Sequence, residues 1–161
     1  MRQLLRRLAV TALLAPVAAL GAATMTANPA QAATPEQTLQ NEVNQLINIE
    51  RAHGGCPALT VNEQLTAAAR THSGYMAQTG TFAHTGSGGS SFVTRAKTAG
   101  YPKPSAENIA WGYRTAADVV GGWMKSPGHR ANILNCKSTT VGVGVVFSAA
   151  GAPYYTQDFG L

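Results

Sequence analysis

The sequence predicts a mixed α+β domain in which helices cover a small, mainly antiparallel sheet. Three observations carry this. Apolar residues recur at helical spacing on two segments between residues 34 and 80, a further capped helix follows Thr115, and residues 140–147 alternate with period two ahead of a turn and a second extended run.

The first helix starts at Thr34, which can cap it, with Pro35 suited to the first helical position and Gln37 placed to complete a capping box. Leu39, Val43, Leu46 and Ile47 form its apolar stripe, and Gly54-Gly55 ends it. A second helix is predicted from a cap at Asn62 to Thr79, before Gly80. Its inner side carries Leu65, Ala68, Ala69, His72, Tyr75 and Met76. His72 sits among apolar positions and reads as a hydrogen-bonded packing residue, because buried polar groups are normally paired locally.

Gly86-Ser87-Gly88-Gly89-Ser90-Ser91 is a loop that lacks the Gly-Lys-Ser/Thr ending of a phosphate cradle. A short helix from Phe92 to Ala99 should end at Gly100. Pro102 and Pro104 then impose an extended path that presents Glu107 from irregular backbone. Thr115 caps a helix through Val119, Val120, Trp123 and Met124, and Ser126-Pro127 closes it and opens a short one. Trp111 and Trp123 read as core anchors. Val141, Val143, Val145 and Phe147 alternate with Gly142, Gly144 and Val146 as a strand whose glycines leave room for a neighbouring element. Tyr154 to Phe159 reads as its antiparallel partner.

Residues 1–32 read as a secretory signal peptide. Arg2, Arg6 and Arg7 precede an apolar run from Leu8 to Ala23, and Ala30-Gln31-Ala32 supplies the small-residue cleavage site. Pro16 and Gly21 interrupt the run, which falls short of a membrane span, so no stable membrane anchor is expected after cleavage. Residues 33–161 are then one domain, expected to be a secreted monomer. The formal charge of +5 owes three positive charges to the signal, and the mature chain keeps nine basic against seven acidic residues. These basic residues are scattered, which excludes a nucleic-acid surface. Cys56 and Cys136 remain, and in an oxidising compartment they are expected to pair, closing a loop of about 80 residues.

The residues with the most chemistry lie in three segments: Phe82-Ala83-His84, Glu107-Asn108-Ile109-Ala110-Trp111, and Trp123 through Ser126-Pro127-Gly128-His129-Arg130. With Ser126 as cap, His129 occupies the third position of its helix, where the positive end of the dipole favours a neutral imidazole. A neutral ring suits a metal ligand or a general base, and equally a ring that packs at the helix entry. The separations among His84, Glu107 and His129 match no metal-ligand motif. On the residues alone, an exposed His84 and a Glu107 bonding nearby amides is the simpler reading.

Together the three segments resemble the CAP superfamily of cysteine-rich secretory, antigen 5 and pathogenesis-related proteins. The Ser-Pro-Gly-His-Arg run is most similar to the bacterial single-domain SCP-like branch. The resemblance implies a three-layer α-β-α sandwich and a cleft in which two histidines and two acids meet. His84, Glu107 and His129 match three of those four positions, and Ser126 stands where the family often carries the second acid. Two imidazoles and one carboxylate are a donor set that zinc or another divalent metal accepts. Asn108 and Ser126 are expected to support the cleft's rim.

Three functions follow from the resemblance. In the first, the cleft binds a divalent metal or a small polar or lipid ligand outside the cell, without catalysis. In the second, a zinc-dependent, peptidase-like hydrolase uses Glu107 as base. In the third, the domain is a scaffold for envelope or host partners. A serine hydrolase is disfavoured, since no G-x-S-x-G elbow is present and neither Ser87 nor Ser126 has an evident activating base. Tyr113, Tyr154 and Tyr155 are too dispersed to form a carbohydrate or nucleotide platform.

Overall fold

The computed structural model describes residues 32–161, and the expected signal peptide through Gln31 lies outside the described residues. In chain order the elements are α1 (Pro35–His53), β1 (Thr60–Val61), α2 (Glu63–Thr79), α3 (Phe92–Thr98), β2 (Pro104–Trp111), α4 (Ala116–Lys125), α5 (Pro127–Ile133), β3 (Thr140–Phe147) and β4 (Pro153–Gly160). The helix starts follow from their caps. Thr34 and Gln37 form the reciprocal capping box, and the side chains of Asn62, Ser91 and Thr115 each accept from an amide of the first turn. Gly80 ends α2 in the left-handed conformation that glycine adopts without a Cβ penalty.

The sheet runs in the order β1-β3-β4-β2, with β1 parallel to β3 and the other pairs antiparallel. One face carries the larger core, where Val43 and Ile47 of α1, Val119, Val120 and Trp123 of α4 and Ile133 of α5 pack on Val141, Val143, Val145, Tyr155 and Phe159. α2 and α3 cover the other face, which completes the three layers. α2 lies close there because Gly142 and Gly144 present no side chain. A Cβ on either would fall 2.2 Å from α2 backbone atoms.

Two strands go beyond the sequence expectation. β1 has only two residues, too few for a periodic signal. β2 was expected as irregular backbone, yet it is a regular strand in register with β4 from Ala106 to Trp111. Its inner residues are buried on both faces, so its sequence does not alternate. β2 is also a sheet edge, and helix side chains occupy its outward carbonyls. Trp123 Nε1 donates to the Ile109 carbonyl at 3.1 Å and Asn132 Nδ2 to that of Glu107 at 3.4 Å.

Cys56 and Cys136 form the disulfide, with Cα atoms 4.9 Å apart. Beside it, Arg51 is wholly buried and donates to the carbonyls of Pro57, Ile133, Asn135 and Ser138. One side chain thereby ties α1 to the irregular segments that flank both cysteines. Trp123 is a core anchor at 2% exposure, but Trp111 is not. It ends β2 at 54% exposure, with Tyr154 against its ring. Among the described residues no helix is long and apolar enough to cross a membrane.

Candidate functional site

The β2 edge gathers the site. Glu107 points toward the α2 and α3 layer, with a side chain only 1% exposed. One oxygen accepts from His84 Nδ1 at 2.8 Å and the other from Arg95 Nη2 at 2.5 Å. Arg95 reaches it from α3 and also bonds the carbonyls of His84 and Ser90, so it fixes the loop that carries His84. With Nδ1 on the carboxylate, the His84 ring presents Nε2 outward. Its side chain is 58% exposed.

His129 approaches from the opposite side of the same edge. Asn108 faces the α1, α4 and α5 layer, where Nδ2 donates to Gln157 Oε1 at 3.1 Å and to the His129 carbonyl at 3.3 Å. Its Oδ1 accepts from Asn132 at 2.9 Å. Asn108 therefore seats the first turn of α5. Burial lowers the His129 pKa and the nearby His84 lowers it further, so the ring is neutral at physiological pH. Ser126 takes the N-cap position of α5, but its hydroxyl makes no capping bond, contrary to expectation.

The two histidines border different grooves. His84 lies with Phe92, Ser105, Glu107 and Asn132, whereas His129 lies with Phe82, Trp111, Tyr113 and Ser126 in a groove of about 320 Å³. Phe82, Trp111 and Tyr113 are all exposed, giving this second groove an aromatic rim. Among the described residues no three of His, Cys, Asp and Glu are gathered as a metal-ligand set. His84 and Glu107 are hydrogen-bonded to one another, and His129 lines the other groove. A metal held by all three would require Glu107 to release Arg95 or His84.

His72 is wholly buried, and Nε2 donates to the Ala83 carbonyl at 2.9 Å, the local pairing expected of a packing histidine. Two residues escaped sequence reasoning. Arg95 shares the inward stripe of α3 with Phe92, Ala96 and Ala99, and a cation on an apolar stripe was the available signal. Asp158 lies on β4, every residue of which is buried, directly across from Glu107.

The layers and the cleft at the β2 edge define an α-β-α sandwich domain of CAP type. Residues 44–159 match CAP, the cysteine-rich secretory protein family, and the chain belongs to that family. It is 37% identical over 150 residues to YkwD of Bacillus subtilis (strain 168), covering 92% of this chain and 56% of that protein. It is also similar in structure to an extracellular protein containing an SCP domain from Bacillus anthracis str. Ames, with a TM-score of 0.72 and 28% identity over 81% of this chain and 45% of that one. An outer surface protein of Borrelia burgdorferi shares the fold, with a TM-score of 0.70 at 18% identity over 77% of this chain and 92% of that one. The chain thus spans about half the length of YkwD and of the Bacillus anthracis protein.

Proposed function

We propose that this is a secreted, monomeric CAP-domain protein whose cleft at His84, Glu107 and His129 binds a small ligand with polar and apolar parts outside the cell, without turning it over. The observation that carries this reading is the engagement of both Glu107 oxygens. It removes the carboxylate as a free base and leaves the cleft presenting two hydrogen-bonding imidazoles, that of His129 neutral, beside exposed aromatics. Such a surface suits an amphiphile, whose apolar part lies on Phe82 and Trp111 while its polar part bonds His129 and reaches His84. A divalent metal is the other occupant this donor set accepts, at the cost of opening the Arg95–Glu107 pair.

Trp111 is an exposed reporter at the groove, whereas Trp123 is buried. Titration with dodecylphosphocholine below its micelle concentration is expected to change Trp111 emission saturably, and Phe82→Ala with His129→Ala to abolish the change. An unaltered emission, or a response that survives the double substitution, overturns the reading. Zinc alone, titrated by calorimetry, decides the metal alternative. Tight binding lost in His84→Ala with His129→Ala would replace the amphiphile by an ion, and that affinity should fall below about pH 6, where imidazole protonates.

A further inference from the structure

A groove of about 570 Å³ runs along α4 and against the turn that leads into it. Tyr113 and Gly122 line both this groove and the one about His129, so the two meet across the Tyr113 ring. Gly122 seats that ring. A Cβ there would fall 2.6 Å from the Tyr113 hydroxyl oxygen and 2.9 Å from its Cζ, so a side chain at 122 would displace it. Gly121 has no such packing duty, since a Cβ on it would meet nothing within 4 Å. Glycine in a helix interior is unfavourable relative to alanine, and here it leaves the floor of the groove open.

Arg114 and Lys125 line the groove, and both are exposed to solvent. Neither is committed to an acid, because the ion pairs among the described residues are those that Glu107 makes with His84 and Arg95. Asp118 is the one acid in the lining. Its Oδ2 accepts from the Thr115 hydroxyl at 2.7 Å, which holds that carboxylate at the first turn of α4. Two uncommitted cations against one tethered carboxylate leave net positive charge beside the open floor.

A phosphate group complements this charge, since its several oxygens accept from a guanidinium fork and an ammonium at once. A cationic head group would meet two like charges. We propose that the groove over Gly121 and Gly122 is an anion subsite for the phosphate head of an amphiphile whose chain crosses Tyr113 into the groove of Phe82, Trp111 and His129. The subsite rests on the amphiphile reading above and gives that ligand a charge and a direction.

The test uses the purified protein and three amphiphiles of one decyl chain, each below its micelle concentration, read by Trp111 emission and by the Gly121 amide in NMR. Decyl phosphate is expected to bind about tenfold tighter than decyl trimethylammonium, with decyl phosphocholine between them. The difference should shrink in about 0.5 M salt. Arg114→Gln with Lys125→Gln should level the three affinities while the Trp111 response persists. Gly121→Leu should level them too, by filling the floor, and without lowering the thermal midpoint, because leucine is the better helix former. Equal affinities in the wild type, or a phosphate preference undiminished in both variants, overturn the subsite and leave the amphiphile reading standing. Inorganic phosphate that shifts Gly121 with the affinity of decyl phosphate would make the groove a site for the free ion and overturn the link across Tyr113. Silence of Trp111 toward all three probes removes the amphiphile reading, and this subsite's ligand with it.

Discussion

Glu107 and Asp158 stand opposite one another across the β2–β4 pair, both buried, and only Glu107 has partners. Arg95 and His84 hold Glu107, whereas neither oxygen of Asp158 receives a hydrogen bond. Two ionised acids against one fixed cation would leave a buried charge uncompensated. Burial first, and the neighbouring Glu107 second, push the Asp158 pKa well above its ordinary 3.8, although Arg95 opposes the shift. Asp158 is thereby held toward its protonated form, an acid that can donate to Glu107 across the strand pair.

A carboxyl whose pKa is raised by folding binds a proton that the unfolded chain has already released. Its stabilising contribution is full below the unfolded value, near 3.8, and is lost as pH rises toward the folded value. Asp158→Asn keeps the shape, supplies an N–H for Glu107 and carries no charge. The variant should match the wild type at about pH 4 and exceed it by about 1–2 kcal/mol at neutral pH, seen as a higher thermal midpoint. Loss of stability at neutral pH would show that Asp158 is ionised in the fold.

Arg51 is buried without an acid partner, and its pKa is lowered by that burial. Its worth lies in four carbonyls that would otherwise go unpaired. Arg51→Met should destabilise the fold by about 3–5 kcal/mol, and Arg51→Lys by nearly as much, since an ammonium has three donors and no fork. Urea denaturation measures both. A Lys variant of wild-type stability would refute the role of the fork.

The Cys56–Cys136 bridge closes a separation of 80 residues next to the Arg51 cluster. Replacing both cysteines by serine should cost about 2–5 kcal/mol. Non-reducing digestion and mass spectrometry of protein collected from the medium should first show the single linked peptide pair. Two free thiols in that sample would remove the disulfide from the exported protein.

Gly142→Ala and Gly144→Ala should each prevent α2 from seating on the sheet, because the added carbon meets helix backbone that cannot move aside. The expected loss is more than about 3 kcal/mol, with soluble yield and circular dichroism as readouts. These glycines show why so much of the fold was legible. Alternating glycine and valine marks both a strand and the close approach of its neighbour, just as Thr34, Asn62 and Thr115 mark helix starts by a local side-chain bond. β2 was illegible for the converse reason: a strand buried on both faces has no alternation to read. Trp111 was misread because aromatic bulk signals burial only where a partner exists, and the edge strand ends there. At the site, the pairing of His84 with Glu107 rested on family resemblance. Arg95 and Asp158 required the three-dimensional register, since nothing local joins α3 and β4 to residue 107.

Efficient peptidase or esterase turnover is not expected of the purified protein. His84 with Glu107 behind its Nδ1 is the orienting half of a base, with Nε2 open to solvent. A base still needs a nucleophile or an activated water to act on. Ser105, the serine in the His84 groove, is hydrogen-bonded to Ser138, and Ser126 lies in the other groove beside His129. Glu107 cannot itself take a proton from water without breaking with Arg95 or His84, and Ser126 stands where a second acid would have served. Fluorophosphonate labelling and peptide hydrolysis should both give background levels, and Glu107→Gln should lower thermal stability by unpairing Arg95 rather than abolish an activity. Multiple turnovers lost in Glu107→Gln with stability intact would make this cleft catalytic.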